Sequence, residues 1–332
     1  MRMVTVVALV AAGVRAAGVL LTLRPAAIAP EVIDPEYGGP PSQWVKLPGG
    51  TIARYQDFPA DKATTNDALL LLHGGAVSLE TWAPWIERLR GTHRIVAIDL
   101  PGHGLTGATM EDDYTVEGMA TFVEAMTGAL GLKGGFVLVG HSTGGHVAWR
   151  FALRHPEFVR KLVLVAPGGL AAIGGPQAKA IALVSRPGGS WLMRAVASRD
   201  RLAAGLRAVF HDPAKVTETM IDRYWKMSRR DGSLDAMIAR LRSPSFEPAA
   251  IGRLNELRMP VLLLWGREDI VFPSSLAQTI AQAIPSTRLV TYEDCGHFPH
   301  EEKPDDTVRD LRAFLTTGEV GTTPPMMLGA TS

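Results

Sequence analysis

The sequence predicts an α/β fold: a mostly parallel, eight-stranded sheet with helices on both faces and a helical lid inserted between its strands. Three observations carry this. Short continuous apolar runs are bounded by glycine and polar turns, the pattern of strands buried on both faces. These runs alternate with stretches of helical periodicity, as a parallel sheet with crossover helices requires. After Ala166 the alternation breaks, and residues 168–252 hold helical patches rich in Ala, Leu, Arg and Met with no convincing strand. An insert of that length inside an α/β sheet reads as a lid.

Taken in order, residues 1–30 come first and differ from the rest. Residues 3–23 are apolar apart from Thr5, Arg15 and Thr22, and the first thirty residues carry Arg2, Arg15 and Arg24 and no acid. A positive start before an apolar run reads as an uncleaved membrane anchor or an export signal. Pro30, after the small-residue triplet Ala27-Ile28-Ala29, disfavours cleavage and favours the anchor. The catalytic domain is then expected on the extracytoplasmic side. Residues 31–42, with Pro35, Gly38, Gly39, Pro40 and Pro41, read as a linker. Residues 43–47 and 51–56, split by Pro48-Gly49-Gly50, read as a hairpin. Further strands are expected at 68–72, 94–98, 136–139, 161–165, 261–265 and 287–292. Helices are expected at 81–90, 116–130, 144–155, 274–283 and 305–315. The core thus comprises 43–167 and 253–317, and the small, polar residues 318–332 read as a disordered tail.

Composition narrows the function. The chain has 332 residues, 46% hydrophobic, with net charge +1. That balance leaves no basic excess for a nucleic-acid partner. A single cysteine, Cys295, excludes an intrachain disulfide framework and a cysteine-rich metal site.

The chemistry lies at strand ends. The run 136–139 leads into Gly140-His141-Ser142-Thr143-Gly144-Gly145 and then a helix. This is G-x-S-x-G in the strand–turn–helix context it needs to expose a nucleophile. A serine needs a base and an orienting acid. In sheets of this kind the order is serine, acid, histidine, and sites form at the carboxyl ends of strands. Asp269 in Trp265-Gly266-Arg267-Glu268-Asp269 and His297 in Cys295-Gly296-His297-Phe298-Pro299 fit. Glu268 competes with Asp269. His300 competes with His297, but its place before Glu301 and Glu302 reads as surface or capping. Leu72-His73-Gly74-Gly75-Ala76 follows another strand and offers a backbone donor, Gly75 with Ala76 as its neighbour. With the N–H of Thr143 it would form an oxyanion hole. His73 reads as a structural loop residue, and Asp99-Leu100-Pro101-Gly102-His103-Gly104 as a conformational turn rather than a wall of the site.

These five elements, in this order, resemble the α/β-hydrolase superfamily from residue 43 to 315. They resemble most its lidded branch of serine esterases, meta-cleavage-product hydrolases, haloperoxidase-like perhydrolases and epoxide hydrolases. The resemblance implies hydrolysis through an acyl-enzyme, with no metal and no organic cofactor. Ser142 stands where epoxide hydrolases and haloalkane dehalogenases carry aspartate, which disfavours both. Gly75 is followed by Ala76-Val77-Ser78 rather than the longer Gly-Pro-rich loop usual in meta-cleavage-product hydrolases. The reading is therefore a Ser142–His297–Asp269 hydrolase of a hydrophobic carboxylic ester. Its alternatives are carbon–carbon bond hydrolysis or perhydrolysis and, outside enzymes, a catalytically silent ligand-binding fold. In the lid, apolar residues from Trp191 to Ile238 recur at helical spacing and read as packing, with a subset lining a substrate pocket. Arg194, Arg199, Arg201, Arg207, Arg223, Arg229 and Arg230 read as a solvated face.

Overall fold

A computed structural model describes residues 26–61, 68–132, 134–243, 246 and 248–317. One eight-stranded sheet organises the chain. Its strands are Ser42–Lys46 (β1), Ile52–Phe58 (β2), Leu69–Leu72 (β3), Ile95–Ile98 (β4), Phe136–His141 (β5), Val159–Val165 (β6), Val261–Gly266 (β7) and Thr287–Tyr292 (β8). The spatial order is β1-β2-β4-β3-β5-β6-β7-β8. The β1–β2 and β2–β4 pairs are antiparallel, and every later pair is parallel.

Alternate residues of the central strands face opposite layers, which is why their sequences are apolar throughout rather than alternating. Leu70, Leu72, Val96, Ile98 and Leu138 join one core cluster. It is covered by helices Val116–Ala129 (α3), Thr143–Arg154 (α4) and Ser275–Ala283 (α10), through residues such as Met119, Val123, Phe151 and Ile280. Leu69, Leu71, Ile95, Ala97, Val137 and Val139 join the other. There Ala83–Leu89 (α2) and Pro304–Thr317 (α12) supply Trp85, Leu89, Leu311 and Phe314. Each large apolar side chain fully buried this way contributes roughly 1.5–3 kcal/mol.

Between β6 and β7 the chain forms the helices Gly175–Val184 (α5), Gly189–Val196 (α6), Arg199–Val209 (α7), Glu218–Ser228 (α8) and Ser233–Arg242 (α9). Side-chain caps start two of them: Ser198 accepts from Arg201 N at 3.3 Å and Thr217 from Met220 N at 3.2 Å. Outside the named strands, two isolated bridges involve this stretch, Gly169 with Phe246 and Arg230 with Ile28.

The stretch read as a linker differs from its expectation. Pro30–Tyr37 (α1) is a helix. Proline at the first helical position loses no hydrogen bond and has the right φ already, so Pro30 starts the helix rather than preventing it. Ile33 is buried against Leu105 and Met227, and Asp34 pairs with Arg230 at 2.8 Å. The apolar stretch 3–23 and the tail 318–332 lie outside the described residues. Among the described residues no helix is long and apolar enough to cross a membrane.

Candidate active site

Ser142 sits between β5 and α4 with φ 51° and ψ −115°. A non-glycine residue held there costs on the order of 1–3 kcal/mol, and the surrounding turn enforces it. A Cβ on Gly140 would stand 2.3 Å from Gly144 O, and one on Gly144 would stand 2.3 Å from Leu72 O. Only glycine lets the elbow close this tightly onto β3. The Ser142 carbonyl accepts from His146 N at 3.0 Å and Gly168 N at 2.8 Å.

Asp269 follows β7 and is buried. Its Oδ1 accepts from Val271 N at 2.7 Å and Phe272 N at 3.0 Å, and its Oδ2 accepts from His297 Nδ1 at 2.8 Å. The two backbone donors fix the carboxylate so that its second oxygen faces the imidazole. Glu268, the competing acid, is used elsewhere: its Oε2 accepts from Cys295 N at 2.9 Å and staples the histidine loop.

His297 is held at both ends of its backbone. Its N–H donates to Val209 O of α7 at 2.8 Å, and its carbonyl accepts from His141 Nε2 at 2.8 Å. Its Nε2 is buried without a hydrogen-bond partner, and it lines a cavity of ≈ 140 Å³ together with Ser142, Thr143, Gly75 and Ala76. The serine–histidine hydrogen bond is therefore not formed in this state, as is common in unliganded hydrolase sites. In the sequence His141 carries no signature beyond its place beside Ser142; its role in holding the His297 loop is visible only in three dimensions. Burial holds the His141 imidazole well below its ordinary pKa, with His300 and His297 adding to the effect, so it is a neutral donor that pins the His297 loop.

His300 is a correction. It is buried, not at the surface. Its Nε2 meets Thr81 Oγ1 at 2.9 Å and its ring packs on Trp82 at 4.4 Å, and burial lowers its pKa to about 3. The rings of Trp82, Trp85 and Phe298, rather than the two acids of α11 (Pro299–Glu302), set that environment. His73 donates from Nδ1 to Gly74 O at 2.7 Å and accepts at Nε2 from Leu100 N at 3.0 Å, shaping the loop that carries Gly75. Asp99 accepts from Leu79 N and Leu105 N and pairs with buried Arg54 at 3.1 Å, which makes the 99–104 turn structural.

A larger, apolar chamber of ≈ 440 Å³ adjoins the Ser142 cavity. The two share Gly75, Ala76, Gln177, Ala180, Met193, Met237 and Phe298. Val196, Leu202, Leu206, Val209 and Trp225 complete much of the chamber wall. The lid's apolar residues thus divide: these line the chamber, Ile221, Tyr224, Met227 and Ile238 pack inside, and Trp191 and Leu192 are exposed. Two lining residues escaped the sequence reading, Gln177 and Arg240. Neither lies in a recognisable motif, and the signal that exposes them, an enclosed polar atom without a partner, exists only in three dimensions. Among the described residues no group of three or more His, Cys, Asp or Glu is placed to hold a metal ion.

Residues 67–304 match the family model described as alpha/beta hydrolase fold, and the chain belongs to that family. It is 26% identical over 263 residues to the 2-hydroxy-6-oxo-6-phenylhexa-2,4-dienoate hydrolase of Comamonas testosteroni, covering 77% of this chain and 90% of that one. It is 25% identical over 263 residues to the monoacylglycerol lipase abhd6-B of Xenopus laevis, covering 77% of each. Among solved structures, a membrane phospholipase A described as a bacterial virulence factor superposes with TM-score 0.67 at 25% identity. That match covers 94% of this chain and 96% of the other. The chain is a hydrolase of this family, similar both to carbon–carbon bond hydrolases and to lipases.

Proposed function

We propose that the protein is a serine hydrolase of hydrophobic carboxylic esters. The observation that carries this is the apolar lid chamber opening onto the Ser142 cavity. At ≈ 440 Å³ it falls within the roughly 300–1,000 Å³ that small-molecule sites span, and an acyl chain fits its lining. Ser142 Oγ attacks the ester carbonyl while His297 Nε2 takes the hydroxyl proton. Asp269 holds the imidazole tautomer and stabilises the imidazolium. The backbone N–H groups of Gly75 and Thr143 receive the oxyanion. His297 returns the proton to the departing alcohol, and water then cleaves the acyl-serine by the same route. No cofactor takes part in this scheme.

Carbon–carbon bond hydrolysis is the second reading, favoured by the similarity to the dienoate hydrolase. A rate profile over p-nitrophenyl esters of graded acyl length, beside a ring-cleavage dienoate, separates the two. Turnover that rises with chain length supports the ester reading. Efficient turnover of the dienoate with negligible ester hydrolysis overturns it.

We also propose that residues 3–23 tether the enzyme to a membrane with the catalytic domain extracytoplasmic. The stretch is too apolar to face water without a partner surface. Ile28 N donates to Arg229 O at 2.7 Å, and Arg229 Nε donates to Ala26 O at 2.9 Å, so the tether would leave the domain beside the lid. Full-length protein that pellets with membranes, against a soluble and active chain starting at Glu31, is the expected outcome. Soluble full-length protein overturns the proposal.

A further inference from the structure

Several lid arginines hold carboxylates, and Arg240 on α9 does not. Arg194 pairs with Asp235, Arg199 with Glu218 and Asp222, Arg207 with Glu218 and Arg230 with Asp34, all at 2.5–2.8 Å. Among the described residues no carboxylate reaches Arg240. Its guanidinium instead lies over the two loops that would supply the oxyanion donors. Nη1 is 3.5 Å from Thr143 Oγ1, and a Cβ on Gly75 would stand 3.1 Å from Nη2. Its Nε is enclosed without a hydrogen-bond partner, and so is Oε1 of Gln177 in the wall of the same cavity.

A cation enclosed without a counter-charge is costly and is not retained for stability. Burial lowers the Arg240 pKa only to about 10, so the side chain stays charged at neutral pH. The Ser142 cavity therefore presents one fixed positive charge, Arg240, next to the reacting serine, and it adjoins a mostly apolar chamber whose wall also carries Lys179 and Arg201. Complementarity to that arrangement belongs to an amphiphile with an acyl chain at one end and an anion near the scissile carbonyl.

We propose that Arg240 is the specificity residue of this site and that the substrate carries a carboxylate or phosphate group, which the guanidinium binds by charge-assisted hydrogen bonds. This rests on the ester-hydrolase reading and names the substrate class within it.

Titration calorimetry with the full-length Ser142→Ala protein tests the binding half without turnover, using octyl phosphate, octanoate and octanol. Both anions are expected to bind roughly 10- to 100-fold more tightly than octanol. Whichever of the two binds better identifies the headgroup. Adding Arg240→Met should remove the difference, and adding Arg240→Lys should keep part of it. Equal binding of octanol and the anions, or an anion preference that survives Arg240→Met, overturns the proposal. Arg240→Lys also guards against loss of fold, since it preserves the charge and the stem. The kinetic half compares p-nitrophenyl butyrate with p-nitrophenyl glutarate, which carries a free carboxylate. In Arg240→Met the KM for the glutarate should rise roughly 10- to 100-fold relative to the KM for the butyrate. An equal fall in kcat on both esters makes Arg240 an oxyanion donor instead and overturns the proposal. Failure to turn over any ester, with the anion preference intact, counts against the ester reading alone.

Discussion

The sheet core and the helical lid use different physics, and the division assigns their roles. In the core, Leu69 through Leu72 and Val261 through Leu264 are wholly buried, and Gly140 and Gly144 close on neighbouring backbone at distances no side chain tolerates. Position is set there by close packing, which is felt at the level of single methylene groups. The lid is held by half-buried helices, by exposed arginine–carboxylate pairs such as Arg199–Asp222, and by ties to the core such as His297 N to Val209 O and His211 N to Glu302 Oε2. Exposed pairs contribute about 0–1 kcal/mol each. A rigid core that positions reacting atoms and an adaptable lid that shapes the pocket is the arrangement this contrast implies.

The largest expected effect lies in the core. Ser142→Ala should cut kcat by on the order of 10⁶ while leaving the melting temperature unchanged, because among the described residues no group hydrogen-bonds the serine hydroxyl. Near-wild-type turnover in the purified variant would remove Ser142 from the mechanism. Asp269→Asn should cost roughly 10⁴ in kcat by leaving His297 in the wrong tautomer. Glu268→Gln keeps an oxygen for Cys295 N and should cost far less. A reversal of that order, measured on the same ester, would make Glu268 the orienting acid.

How much of this was legible in the sequence follows the same division. All eight strands were readable: β3 to β7 because a strand buried on both faces is apolar nearly throughout, β1 and β2 from the Pro48-Gly49-Gly50 turn between them, and the half-buried β8 from its β-branched residues. The elbow was readable because its glycines have no substitute. Asp269 was separable from Glu268 only by loop position, and the structure supplies the physical reason: two backbone donors orient one carboxylate and the Cys295 amide takes the other. What stayed hidden depends on contacts made across the chain. His300 looks exposed beside two acids, yet Trp82 and Thr81, far away in sequence, bury it. Pro30–Tyr37 looks like a linker until Ile33 and Asp34 meet the lid. Arg240 is one arginine among many until the fold sets it over Thr143 and Gly75 with no carboxylate in reach among the described residues.

Acid should damage the core before the lid. Burial lowers the pKa of His73, His103 and His141, and takes His146 and His300 to about 3. All five belong to the core, whereas the lid's His211 is exposed. A histidine whose folded pKa is depressed binds fewer protons folded than unfolded. Its neutral state is tolerated in full above about pH 6.5, and stability is lost as pH falls from there toward the folded value. Glu301, raised by burial to about 7, works in the opposite sense between roughly pH 7 and 4.5 and offsets part of the loss. The net effect should be a loss of stability as pH falls below about 6.5. In circular-dichroism melts the Tm should fall between pH 7.5 and 5.5. A flat Tm over this range would mean that the buried histidines keep their ordinary affinities.

The smallest expected effect sharpens the lid's side of the contrast. Gly205 lies on α7, lines the chamber, and has nothing within 4 Å of where a Cβ would stand. Gly205→Leu should therefore enter open space without displacing any neighbour. Replacing an interior helix glycine also stabilises the helix, by about 0.5–1 kcal/mol, so the variant should melt at or above the wild-type temperature. Its leucine side chain occupies volume that the ester reading gives to the far end of the acyl group. Long-chain p-nitrophenyl esters should lose about 10-fold in kcat/KM, an effect of the size one or two lost methylene contacts produce, while the acetate and butyrate are untouched. An equal effect on all chain lengths would mean that α7 acts through its tie to His297, and that the lid positions the base as well as shaping the pocket. No effect on any chain length would mean that the acyl group does not occupy this chamber, and the division of labour between core and lid would have to be redrawn with the substrate confined to the smaller cavity above Ser142.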